Sequence, residues 1–226
     1  MTDDRDKALA GAAAAAEVVD GMLVGLGTGS TATHAIEAIG ARVAQGLSIR
    51  AVATSRASEA LARRLGIAML DFADVPRLDL TIDGADAIDP RFFAIKGGGG
   101  AMLREKVVAA ASDRMVVIAD GSKRVAAIDA GPPVPVEILP FARASVLAAL
   151  GAGAVLRGGE HEPYVTDNGN YIADCRIDLG DPRAVASRLA AIPGVLGHGL
   201  FLDEVDAAYF AQNGTVSRLE RGDYSG

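Results

Sequence analysis

The sequence predicts an α/β protein: a parallel sheet flanked by helices, with a smaller α+β unit after it. Three observations carry the prediction. Short apolar runs alternate with helical patterns up to the prolines Pro132, Pro133 and Pro135, which is the signature of βαβ units. Several of those runs end in polar, glycine-bearing loops, as parallel strands do where a sheet binds ligands. Beyond the prolines the order becomes strand, helix, strand, strand, helix, strand, which fits a split βαβ layer.

Residues 4–19 are rich in alanine, the best helix former, and Gly21 is placed to stop that helix. Residues 22–25 read as a short strand running into Gly27, Thr28, Gly29, Ser30 and Thr31. Ala35, Ile36, Ile39 and Val43 then recur at helical spacing. Residues 48–53 are the next strand, 57–65 a helix whose exposed face carries Glu59, Arg63 and Arg64, and 67–70 and 78–82 two further strands. Met102, Leu103, Val107 and Val108 mark a helix, and residues 114–119 are apolar enough for a strand buried on both faces. In the second unit, residues 134–138 and 154–156 read as strands around a helix at 142–150. Residues 164–166 and 171–177 flank Asp167-Asn168-Gly169-Asn170, a hairpin signal. Asp181 and Pro182 open a helix as cap and first residue, and 195–202 is the last strand of the unit. Two short apolar stretches in 207–219 are expected to return to the first sheet.

Half of the 226 residues are apolar and 23% are charged, an ordinary globular composition. The net charge of −7 argues against a nucleic-acid partner, which needs a basic face; a local basic pocket for a small anion stays open. The single cysteine, Cys175, excludes an internal disulfide and a Cys-based zinc site. His34, His161 and His198 lie far apart, without metal-ligand spacing. The alanine-rich start carries Asp3, Asp4, Glu17 and Asp20, unlike a signal peptide. No apolar run approaches the ~20 residues needed to cross a bilayer. A cytoplasmic location, with no membrane partner, is the expectation.

The chemistry concentrates in residues 95–106, IKGGGGAMLREK. Four consecutive glycines are costly to order, and the usual return is a backbone that approaches a ligand closely. Lys96 adds a positive charge before them, and Glu105 follows near a helix start as a candidate base. The plain alternative is a glycine turn, a solvated lysine and a glutamate that complements the helix dipole. Residues 25–31 repeat the theme, since strand, Gly/Ser/Thr loop and helix lay out an anion cradle. Ser30 or Thr31 serves equally well as a helix cap. Asp83 and Asp86 follow a strand, placed to hold sugar hydroxyls, transfer protons or bind Mg²⁺; an Asp-Gly turn with a capping Asp is the alternative. Lys123 ends a third loop, against the reading of a solvated turn lysine. Lys7 lies on the first helix, where most lysines are only solvated.

Gly27, Gly29 and Ala32 also satisfy G-x-G-x-x-A, a weak match when alone. The acidic residue expected after the next strand is missing, and Arg56 there suits a 2′-phosphate. An NADP-dependent reductase is therefore a rival, although it gives no role to Lys96, Glu105 or Asp83. No G-x-x-x-x-G-K-[ST] occurs, which removes a P-loop nucleotidase. If the sheet is parallel, the loops converge on one edge. A phosphorylated, hydroxyl-rich small molecule fits the inventory there. One carboxylate base with nearby cations suits proton transfer beside a carbonyl, a lysine stabilising the enediolate oxygen. Aldose–ketose isomerisation needs little more.

GLGTGSTA, TSRAS, DGAD, IKGGGGAMLREK, VIADGSK, VPVEILPFAR, VTDNGNYIAD and PGVLGHGLF resemble, in order and approximate spacing, the motifs of the type A ribose-5-phosphate isomerase family. The resemblance runs roughly from Lys7 to Phe201. It implies a Rossmann-like parallel-sheet domain over residues 1–129 and 206–226, with an inserted smaller α+β, ferredoxin-like domain over 130–205. It implies interconversion of D-ribose 5-phosphate and D-ribulose 5-phosphate in the non-oxidative pentose phosphate pathway, with no metal or cofactor, in a homodimer or homotetramer. By the resemblance, Glu105 is the base that moves a proton between carbon 2 and carbon 1. Asp83, Asp86 and Lys96 open the sugar ring and stabilise the intermediate. Thr28, Gly29, Ser30 and Thr31 contact the substrate, with Ser30, Thr31 and Lys123 near the phosphate and Lys7 a weaker phosphate-side position. Gly97, Gly98 and Gly99 supply backbone donors, and Gly84 and Ala85 belong to the binding loop with the two aspartates. The chain departs at Ala87, where the family often has Glu, and at Gly121, where Glu often precedes Ser-Lys. A non-catalytic sugar-phosphate sensor is the second rival; it needs a DNA-binding segment, for which this chain lacks the charge.

Overall fold

The computed structural model describes residues 2–223. The chain forms two compact units. One comprises the chain up to Ala85, Arg104–Arg124 and the chain from Asp203 onward; the other comprises Asp86–Leu103 and Val125–Leu202. This division differs from the expected one mainly in its placement of residues 86–103; residues 125–129 also fall in the second unit and 203–205 in the first. The strands Ala87–Ile88 and Ala94–Ile95 pair with each other, and the latter pairs with Leu200–Phe201. Hydrogen bonding, not sequence proximity to the first sheet, assigns that segment.

The first unit is built on a seven-stranded sheet. Its order is Thr215–Glu220, Ala207–Gln212, Met115–Asp120, Leu80–Gly84, Leu23–Leu26, Arg50–Ala53, Ala68–Met69. All neighbouring pairs are parallel except the C-terminal hairpin. That hairpin turns through Asn213 and Gly214, both at positive φ, the backbone that matches the twist of its strands. Met115–Asp120 is buried at every residue, as its unbroken apolar sequence requires of a central strand covered on both faces. Val24, Leu26, Ile36, Ile39, Leu80, Ile82, Val116 and Ile118 form the main core. Gly11 lets the helix Thr2–Ala15 cross tightly over the helix Ser30–Ala44: a Cβ there would lie 2.8 Å from the Ala35 nitrogen.

The first helix stops at Ala15, earlier than its alanine content predicts, because the next residues make tertiary contacts. Val18 is fully buried, and Asp20 Oδ1 accepts the Ser48 N–H at 2.8 Å. Glu17 Oε1 accepts hydrogen bonds from Tyr209 Oη at 2.7 Å and Arg218 Nε at 3.2 Å, and Oε2 accepts from Arg114 Nε at 3.2 Å. Burial pushes the Glu17 carboxyl up, but the bonds from Tyr209 and Arg218 and the Arg114 charge outweigh it and hold it below its ordinary 4.5. A carboxyl depressed in the folded state takes up protons first in the unfolded chain. Its contribution is therefore complete above that ordinary value and is lost as the pH falls below it. Glu17→Gln is expected to flatten the fall of stability on acidification, measured as Tm against pH. An unchanged acid slope would show that the cluster contributes nothing there.

The second unit holds an antiparallel four-stranded sheet in the order Val195–His198, Val134–Ile138, Tyr171–Cys175, Ala154–Leu156. With the helices Arg143–Leu150 and Pro182–Ala190, this is the ferredoxin-like arrangement. Val136, Ile138, Val146, Ala173 and Leu189 lie in its core. Asp181 caps the second helix by accepting the N–H groups of Arg183 and Ala184, with Pro182 following. Two expected elements differ. The hairpin around Asp167-Asn168-Gly169-Asn170 reduces to an isolated bridge between Val165 and Tyr171. Its turn folds instead onto the fully buried Glu137, whose Oε1 accepts Thr166 Oγ1, Asn168 Nδ2 and Asn170 Nδ2 at 2.9, 3.1 and 2.9 Å; a buried carboxylate demands such partners. The strand over 195–202 breaks at Gly199, where a Cβ would overlap the Lys96 carbonyl. Leu200–Phe201 thereby joins the separate three-stranded sheet. No helix among the described residues is long and apolar enough to cross a membrane.

Candidate active site

In the first unit the chain winds from Leu23–Leu26 to one side, then returns to build Leu80–Gly84 and Met115–Asp120 on the other. Open α/β sheets bind ligands at the strand C-termini where the order reverses in this way. The loop of residues 27–31 leaves Leu23–Leu26 there, and Asp83 ends the neighbouring strand. Asp83 is fully buried, and its Oδ1 accepts the Thr28 N–H at 2.9 Å and the Gly84 N–H at 2.7 Å. Gly27 has no alternative to glycine without rearrangement, since a Cβ would fall on the Asp83 carboxylate. Thr28 Oγ1 lies 2.7 Å from Thr54 Oγ1, and Ser58 Oγ donates to the Gly27 carbonyl at 2.7 Å. These hydroxyls from the TSRAS segment brace the loop from behind. The helix Ser30–Ala44 starts at Gly29, φ 108, with no side-chain cap. Neither Ser30 nor Thr31 is therefore its cap. Both lie in the first turn, where backbone N–H groups are open to an anion, and Gly29 and Ser30 are exposed.

Glu105 sits on the helix Met102–Ala110 and is 3% exposed. That helix crosses Gly25, whose Cβ would come within 2.8 Å of Val108 Cγ1. Glu105 lies three residues, ~4.5 Å along the helix axis, before Val108. A crossover helix runs against the strands that it joins, so this position is at the strand C-termini. Glu105 is thus a buried carboxylate at the same edge as the cradle and Asp83. A glutamate that only complemented the dipole would be solvated.

Lys123, half-buried, closes the turn Gly121–Lys123 after Met115–Asp120. Asp120 shapes this turn by accepting the Ser122 N–H at 2.9 Å and the Ser122 hydroxyl at 2.5 Å. Lys7, also half-buried, shares a helix face with Asp4 and Gly11. Asp4 Oδ1 lies 3.1 Å from His34 Nε2, so this face meets the start of the helix Ser30–Ala44.

Apart from Gly84 and Ala85, which end the first stretch of the first unit, the other predicted residues belong to the second unit. Asp86 precedes Ala87–Ile88 and Lys96 follows Ala94–Ile95, its antiparallel partner. The Asp86 N–H donates to the Ile95 carbonyl at 2.8 Å, and Asp86 Oδ2 accepts the Gly98 N–H at 2.7 Å. Lys96 is 2% exposed, and its ammonium lies 5.4 Å from the centre of the Phe201 ring, within cation–π range. Solvation is not its role. Gly97 and Gly100 have φ of 105 and 80, values that favour glycine, and Gly98 and Gly99 are exposed. Arg157 Nη1 donates to the carbonyls of Gly97 and Gly98 at 3.0 and 3.1 Å, and Tyr164 Oη to that of Gly99 at 3.3 Å. Sequence reasoning misses both residues. Arg157 is a lone arginine after a short strand, 59 positions from its nearest glycine partner. Gly84 and Ala85 are half-buried between the two aspartates in sequence.

A family model described as ribose 5-phosphate isomerase A (phosphoriboisomerase A) matches residues 50–215. The chain belongs to the ribose 5-phosphate isomerase A family. A ribose-5-phosphate isomerase A of Sphingopyxis alaskensis is 51% identical over 96% of this chain and 97% of its own length. The solved structure of a D-ribose-5-phosphate isomerase in complex with phospho-erythronic acid is similar with a TM-score of 0.93, at 33% identity, over 98% of this chain and 100% of that one. The ribose 5-phosphate isomerase A of Neisseria gonorrhoeae is similar with a TM-score of 0.90, at 36% identity, over 97% and 98%. The two departures from the isomerase motifs have simple settings. Ala87 is 1% exposed and packs in the apolar core of the second unit, where a glutamate would need a partner. At Gly121 a Cβ would lie 2.8 Å from the Gln212 side chain, which occupies that space.

Proposed function

We propose that the chain interconverts D-ribose 5-phosphate and D-ribulose 5-phosphate, with Glu105 as the proton-transferring base. The buried Glu105 carboxylate, at the same sheet edge as the anion cradle and Asp83, carries the reading. The backbone N–H groups and hydroxyls of Ser30 and Thr31, with Lys123 and more weakly Lys7, bind the phosphate; Thr28, whose N–H is held by Asp83, and Gly29 line the same loop as substrate contacts. Asp83 and Asp86 hold sugar hydroxyls and exchange the protons that open the ring, and Gly84 and Ala85 keep the two aspartates in one loop. In the open aldehyde the carbonyl acidifies the hydrogen on carbon 2. Glu105 removes it, and the negative charge gathers on the carbon 1 oxygen. Lys96 meets that charge, and the N–H donors of Gly97 and Gly99 add to it, while Gly98, its N–H bonded to Asp86 Oδ2, keeps that carboxylate in place. Glu105 returns the proton to carbon 1; the carbon 1 oxygen gains a proton as the carbon 2 oxygen loses one, giving the ketose. One related structure holds phospho-erythronic acid, a phosphorylated sugar acid, the ligand class that this reading requires. The same reading includes a homodimer or homotetramer in the cytoplasm and a place in the non-oxidative pentose phosphate pathway.

The test is turnover of ribose 5-phosphate by the purified chain with a chelator present. Conversion to ribulose 5-phosphate is expected. Tight binding without conversion would overturn the isomerase reading in favour of a sugar-phosphate sensor.

A further inference from the structure

We infer that Arg157 is a positioning residue for the reaction: by holding two carbonyls of the glycine loop, it aims the loop's N–H donors to the Asp86 side. The inference rests on the isomerase reading of that loop. In a trans peptide the C=O of one residue and the N–H of the next point in opposite directions. Arg157 Nη1 binds the Gly97 carbonyl, so the Gly98 N–H points away from Arg157, where it meets Asp86 Oδ2 at 2.7 Å. The same nitrogen binds the Gly98 carbonyl, so the N–H of the exposed Gly99 also faces away from Arg157.

The arginine is itself anchored. Its Nε donates to Asp174 Oδ2 at 2.9 Å and its Nη2 to Asp174 Oδ1 at 2.5 Å, and Asp174 lies in the sheet strand Tyr171–Cys175. The Arg157 N–H donates to Ile172 O at 2.8 Å. Tyr164 stacks 5.7 Å from the guanidinium and backs the loop so closely that a Cβ on Gly100 would overlap its ring. One edge of the planar fork is spent on the carboxylate, and the remaining nitrogen serves both carbonyls. Only arginine has donors for this; a lysine offers a single point charge.

Arg157→Gln and the double variant Arg157→Gln/Asp174→Asn, which leaves no stranded charge, test the assignment. The phosphate is bound by other residues, so KM should stay within about threefold. kcat should fall roughly 10- to 100-fold in both, as a misplacement of about 1 Å does. The Gly98 amide should exchange faster with solvent, and Arg157→Lys should restore part of kcat. Wild-type kcat in the double variant overturns the inference, as does a loss of kcat with unchanged Gly98 exchange. If both glutamine variants fail to fold, Arg157→Lys decides alone: full kcat overturns the inference and a partial loss with faster Gly98 exchange supports it. A wild-type chain that does not turn over ribose 5-phosphate would instead overturn the functional reading, and this inference with it.

Discussion

Glu105→Gln is expected to lower kcat for ribose 5-phosphate by roughly 10²- to 10⁴-fold with KM little changed, the range for loss of a positioned general base. The substitution keeps volume and shape at a residue that is 3% exposed and removes only the ability to accept a proton. Packing is conserved, so the variant should fold, and its Tm separates lost chemistry from lost structure. In the wild type kcat/KM should decline on the acid side as the base is protonated; any residual activity of the variant should lack that limb. A variant that retains activity would leave the reaction standing but move the base elsewhere, with Asp83 next. One Asp83 oxygen accepts both the Thr28 and the Gly84 N–H groups. That bonding suits a group that holds a loop and a hydroxyl more than one that must carry a proton from carbon to carbon.

The first sheet is legible in the sequence because its central parallel strands are largely apolar and end in polar loops; Met115–Asp120 shows both features, and Leu80–Gly84, interrupted only by Thr81, ends in Asp83 and Gly84. Its convergent edge is legible for the same reason, and Thr28, Asp83 and Lys123 follow neighbouring strands. The chain's membership of the isomerase family is legible from the order of its motifs. Burial is not, since nothing local says that Lys96 lies beneath the surface against Phe201. Long-range bonding is equally hidden. A lone Glu137 in an apolar strand gives no sign that Thr166, Asn168 and Asn170 will close on it, and so the turn between them reads as a free hairpin. Helix ends are set by competition as well. Alanine extends the first helix by propensity, yet the contacts of Glu17 and Val18 end it at Ala15. The break at Gly199 depends on the close approach of Lys96 and Pro135, which only the folded chain reveals.

Gly27→Ala is the second large effect, and it acts through Asp83. The added methyl would overlap the Asp83 carboxylate. Relief requires either a shift of the strand end or rotation of Asp83 off the Thr28 and Gly84 N–H groups. Overpacking of this kind costs about 1–3 kcal/mol, and displacing a reacting group by about 1 Å lowers kcat/KM on the order of 10²-fold. Gly29→Ala provides the contrast. Its φ of 108 resists a side chain, but nothing lies within 4 Å of the added Cβ. Gly29→Ala should therefore lose stability and phosphate affinity through the backbone while kcat persists, whereas Gly27→Ala should lose kcat. Thermal melts and steady-state kinetics on both variants separate the two routes. If the Gly27→Ala loss runs through the carboxylate, then adding it to Asp83→Ala should cost little more activity than Asp83→Ala alone, because the group it displaces is already gone. Full additivity in that cycle, or wild-type kcat in Gly27→Ala, would show that the loop tolerates the methyl without disturbing Asp83.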